Sequence, residues 1–76
     1  MNKKRRTLLA SAKAMLQSAA NIIERASEQE SECMDNLPES LQDSERYVKM
    51  ENAANSLDEA LEHIEQAIDN INDAVA

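Results

Sequence analysis

Two groups of residues in this 76-residue chain have the chemistry to hold an anion. Lys3, Lys4, Arg5 and Arg6 make an unbroken cationic start. If a helix begins there, its free backbone N–H groups add to their pull on a phosphate. Arg46 and Tyr47, with Lys49 close behind, make the second group. An Arg beside a Tyr can stack on a base or grip a phosphate. Each group also has a plainer reading. Cations at a helix start oppose the macrodipole, as do Glu62, Glu65, Asp69 and Asp73 near the chain's end. In an antiparallel hairpin those two ends become neighbours and offset each other. Tyr47 can be a seam residue with its hydroxyl at the edge, and Arg46 can pair with Glu28 or Glu32 across a turn.

The other reactive residue types form no constellation. Glu62 and Glu65 stand at helical spacing, but no inward Glu-x-x-His pattern accompanies them, and Glu59 with His63 reads as an exposed i,i+4 pair rather than a metal site. Cys33 is the single cysteine, so no intrachain disulfide forms, and with no His or basic partner nearby a nucleophilic role is not expected of it. There is no nucleophile–base pair and no glycine-rich phosphate loop. The expected protein is not an enzyme and takes no cofactor.

The elements that position these residues follow from the apolar spacing. Alanines recur every seven residues at Ala12, Ala19 and Ala26, and again at Ala53, Ala60, Ala67 and Ala74. The first set lies within a stripe formed by Leu8, Ala12, Met15, Ala19, Ile22 and Ala26. The second edges a stripe of Met50, Ala54, Leu57, Leu61, Ile64, Ile68, Ile71 and Val75. An average step of 3.5 residues keeps one seam of a helix against a partner helix, and alanine there allows close approach. With no Gly, Phe or Trp and a single Tyr, strands are not expected. The expected fold is all-α: an antiparallel, coiled-coil-like two-helix hairpin forming one domain.

The spacing predicts a first helix over about 4–33, a turn near 34–37, and a second helix over about 37–75. Asn36 is the expected N-cap of the second helix, with Pro38 in its first turn and Glu39 closing a capping box. That turn pairs Ala12 with Ala60, Ala19 with Ala53, and Ala26 with Arg46, and leaves the end of the longer second helix overhanging. Leu9, Leu16, Ile23, Ile64, Ile68, Ile71 and Val75 then remain as apolar surface for other copies, giving a dimeric four-helix bundle or a larger ring.

Charge is divided along the chain. Residues 1–23 carry five cations and no acid, and residues 24–76 carry all fifteen acids with three cations, for a net charge of −7. Direct DNA binding and membrane binding are not expected of such a balance. The acidic face of Asp58, Glu59, Glu62, Glu65, Asp69 and Asp73 either mimics nucleic acid or simply keeps the protein soluble. No stretch approaches the ~18 apolar residues of a membrane span. The basic start lacks the apolar core of a signal peptide, so a cytoplasmic protein is expected.

The stretch Asp35-Asn36-Leu37-Pro38-Glu39-Ser40-Leu41-Gln42-Asp43-Ser44-Glu45-Arg46-Tyr47, followed by Met50-Glu51, resembles a signature of small uncharacterised helical-hairpin proteins of Gram-positive bacteria and their phages. In them a Lys/Arg-rich start and a Leu/Ala helix precede a DNLPE-(N/S)-LQ-x-SER motif, and an acidic Ala/Leu/Ile helix follows. The resemblance implies a helical hairpin from a phage or mobile element, and brings no activity or functional residues with it. Together these readings suggest a non-catalytic oligomeric binding protein. As a phage product it would act in the host cytoplasm, sequestering an anionic nucleotide signal between protomers through Lys3 to Arg6, Arg46, Tyr47 and Lys49. The alternatives are an inhibitor that caps a host defence protein with its apolar or acidic surface, and a purely structural oligomerisation module.

Overall fold

A computed structural model describes residues 1–42 and 44–76; Asp43, part of the motif above and of the predicted second helix, lies outside the described residues. Two long helices run side by side. α1 spans Lys3–Asp35 and α2 spans Glu45–Val75, and a single 3-10 turn, Glu39–Leu41, stands between them.

α1 starts because Asn2 is extended and its side-chain oxygen accepts the Arg5 N–H at 2.9 Å, satisfying one of the orphan donors of the first turn. Thr7 adds a hydroxyl bond to the Lys3 carbonyl at 3.0 Å. Nothing between Lys3 and Asp35 interrupts the helix: the segment holds no Gly or Pro and is rich in Ala, Leu, Lys, Arg, Gln and Glu. It ends three residues before Pro38, whose ring disfavours helical backbone at the residue before it.

Asn36 closes α1 instead of opening α2, donating its N–H to the Glu32 carbonyl at 3.0 Å. α2 therefore begins at Glu45, not near residue 37. Its N-cap is Ser44, which is extended and accepts the Tyr47 N–H at 3.3 Å. Ser44 also donates its hydroxyl to the Leu41 carbonyl, tying the helix start to the 3-10 turn. Glu45 in the first turn suits the macrodipole. The Ser44-Glu45-Arg46-Tyr47 segment is thus a helix start, and the Asn36–Glu39 box is bypassed.

The later start changes the pairing. With arms of 33 and 31 residues, the two helices nearly match in length, and in this register the first turn of α1 reaches past the end of α2 instead of α2 overhanging α1. Ser27 donates its hydroxyl to the Asp58 carboxylate at 3.2 Å, and Arg6, Ala10 and Lys13 surround a hollow with Ile71, Asn72 and Val75. The helices are antiparallel, and this register sets Ala12 level with Ile71, Ala19 with Ile64 and Ala26 with Leu57. The expected pairs Ala12–Ala60, Ala19–Ala53 and Ala26–Arg46 do not form, because they presuppose the shorter turn.

α1 is also rotated relative to expectation. Leu9, Leu16 and Ile23 are half-buried against α2, whereas Leu8, Met15 and Ile22 are 62%, 71% and 60% exposed. Two adjacent rows with the same spacing compete for the seam. At that spacing the Leu9 row passes Glu30 and reaches half-buried Leu37 at the connector, while the Leu8 row passes Gln29 and reaches exposed Asn36. The row that ends on an apolar residue faces α2.

The molecule measures 59 × 15 × 13 Å across its Cα atoms, a rod of two helices. No apolar side chain among the described residues is buried; the one buried residue is Ser27, at 9% exposure. Replacing Ser44→Ala should lower stability by about 1 kcal/mol through loss of the cap, read from urea denaturation followed by circular dichroism. In a Cys33→Ser background, Ser27→Cys with Asp58→Cys should close an intrachain disulfide on mild oxidation, seen as faster migration on non-reducing gels. Closure instead by Ala19→Cys with Ala53→Cys would show that the shorter-turn register is the real one.

Candidate interaction surface and anion-binding residues

The two cationic groups sit at opposite ends of the rod. Lys3, Lys4, Arg5 and Arg6 occupy the exposed first turn of α1, which reaches past the end of α2. Arg46 and Lys49 are exposed in the first turns of α2, and Tyr47 beside them is half-buried. In a molecule 59 Å long, one chain cannot bring both groups to one ligand.

Neither group is built into a pocket by its own chain. Arg46 pairs with neither Glu28 nor Glu32. The one ion pair among the described residues joins Lys49 Nζ to Glu45 Oε1 at 3.8 Å, with both side chains more than three-quarters exposed. Water screens such a pair, so Lys49→Ala should change the unfolding free energy by less than about 0.5 kcal/mol, measured by urea denaturation. At the other end, Arg6 and Lys13 border the hollow that Ile71, Asn72 and Val75 complete, a space of about 190 Å³. Glu59, His63 and Cys33 are all exposed, and no three His, Cys, Asp or Glu side chains gather among the described residues.

The residues expected to serve other copies lie elsewhere than predicted. Leu9, Leu16, Ile23, Ile64, Ile68, Ile71 and Val75 are all half-buried on the seam between the two helices of one chain. The large apolar row left to solvent is Leu8, Met15 and Ile22. Met15 and Ile22 of this row, with Ser11, Ala14, Ser18 and Ala19, line an open groove of about 500 Å³ along α1.

The hairpin has two unlike broad faces. In an α-helix, successive residues turn by ~100°, so the residue just before and the residue just after a seam position point to opposite sides of the hairpin plane. An antiparallel pair has a local dyad normal to that plane, so the same offset on either helix faces the same side. Residues one before the seam include Leu8, Met15 and Ile22 on α1 and Ala60, Ala67 and Ala74 on α2. Residues one after include Lys13 and Glu24 on α1, and Asp58, Glu62, Glu65 and Asp69 on α2. The hollow at Arg6, Lys13 and Asn72 agrees with this assignment, since it opens between the helices on the second face. The first face carries no acid, mixing Leu8, Met15, Ile22 and the alanines with Ser11, Ser18, Ser56, His63 and Asn70, whereas the second is lined with carboxylates.

No protein-family model matches the chain, and no curated protein and no solved structure is similar to it.

Proposed function

We propose that this chain is a non-catalytic helical interaction module whose working form is an oligomer. Its ligand or partner sites would then be built between copies. The absence of any enclosed apolar side chain among the described residues supports this reading most strongly. The chain exposes 5841 Å², whereas a compact monomer of its 8.5 kDa exposes about 4,700 Å². The surplus is roughly 1,100 Å², more than the roughly 800 Å² that each partner buries in a standard protein–protein interface. A hairpin with this much unsatisfied surface gains free energy by covering it, at about 25 cal/mol for each apolar Å² removed from water.

Oligomerisation is also what the anion-binding idea requires. A nucleotide that needs both cationic groups must take them from different copies, because each chain holds them at opposite ends. The resemblance to phage proteins gives that route a setting, the capture of a host defence signal.

Sedimentation equilibrium and light scattering test the reading. The expected result is a mass of two or more chains and a melting temperature that rises with protein concentration, as association requires. A monomeric mass with a concentration-independent melting temperature would falsify it. Adding a panel of linear and cyclic nucleotides to the oligomer then separates the routes. A rise in melting temperature supports sequestration, and its absence with every nucleotide removes that route while leaving the interaction module intact.

A further inference from the structure

We infer that the acid-free broad face is a docking surface for a second copy of this chain, with the two hairpins stacked face to face about a two-fold axis parallel to the helices. The inference rests on the oligomeric reading above and names the surface and the arrangement that serve it.

Charge selects the face. Two copies of a chain with net charge −7 repel unless they meet where acids are missing. The positions one before the seam carry no acid on either helix: α1 presents Leu8, Ser11, Met15, Ser18 and Ile22 there, and the only charged side chains on the α2 side are Arg46 and Lys49. The opposite face carries Glu24, Asp58, Glu62, Glu65 and Asp69, so stacking two copies through it sets carboxylates against carboxylates. Stacked through the acid-free face, those carboxylates lie on the outer surfaces of the bundle. They are then separated by more than the ~8 Å over which charge acts in physiological salt.

Size selects the arrangement. The hairpin register places Leu8, Met15 and Ile22 within one residue's rise of Ala74, Ala67 and Ala60, so each rung of the face has one large and one small residue. A two-fold axis along the rod keeps every residue at its own height and exchanges the two rows. Leu8, Met15 and Ile22 of each copy then rest on Ala74, Ala67 and Ala60 of the other, and every helix has antiparallel neighbours. A two-fold axis across the rod instead stacks large on large and alanine on alanine. That thickens one side of the interface and thins the other.

The test uses the full chain. Met15→Glu should raise the dimer dissociation constant about a hundredfold or more, because it puts an uncompensated charge in a dry contact. Met15 is 71% exposed in the single hairpin, so the helical circular dichroism of the variant should be retained at high concentration. Val48→Gln, at an exposed position away from this face, should leave the mass unchanged. In a Cys33→Ser background, mixing Met15→Cys chains with Ala67→Cys chains should give a mixed disulfide between two different chains. A dimer that survives Met15→Glu would overturn the choice of face while leaving the oligomeric reading standing. A disulfide between two Met15→Cys chains in preference to the mixed one would overturn the parallel axis. A wild-type chain that is monomeric by sedimentation would remove both the inference and the reading beneath it.

Discussion

Two helices touch along a single line, and most of this molecule's properties descend from that geometric limit. A side chain on the seam of a pair is covered from one direction only; full enclosure needs a third element. Even Leu9, Leu16, Ile23 and the isoleucines of α2, which form the contact, therefore stay half exposed. A chain with 42% apolar residues but no aromatic core has only this line on which to place them. The surplus surface and the unlike faces are both consequences of building with two elements.

The connector controls how that line is used. Pro38 ends α1, the 3-10 turn at Glu39–Leu41 carries the chain across, and Ser44 restarts the helix at Glu45. The nine residues between Asp35 and Glu45 leave arms of 33 and 31 residues and set the cationic start of α1 at the same end of the rod as the end of α2, which carries Asp69 and Asp73. Nearly equal arms also align the apolar rungs, since a longer second helix would leave Ala74 with no α1 residue beside it.

The fold class was legible in the sequence: no glycine, one proline and unbroken 3.5-residue spacing admit little besides a helical hairpin. Rotation and register were harder to read. Leu8, Met15 and Ile22 repeat with the same period as Leu9, Leu16 and Ile23, so periodicity alone cannot say which row faces inward. The rows differ in polarity only at the connector, where one reaches Leu37 and the other Asn36. Register failed for a local reason. Asn36-Leu37-Pro38-Glu39 satisfies the rules for a helix start as well as Ser44-Glu45-Arg46-Tyr47 does, and the choice between them moves α2 relative to α1 along the seam. The two cationic groups were legible as clusters of charge in the sequence. That they stand at opposite ends of the rod follows only from the fold.

The seven-residue repeat has one more consequence, for alignment itself. Shifting α2 along α1 by seven residues returns alanines and isoleucines to equivalent places. It offers Ser27 another carboxylate, since Glu51 and Glu65 flank Asp58 at that same interval. The seam is therefore a ruler with identical marks, unable by itself to say where sliding should stop. The stop is the connector, whose length admits one alignment and strains the rest. Positional uniqueness in this hairpin thus resides in nine residues outside the long contact, while the contact supplies the adhesion.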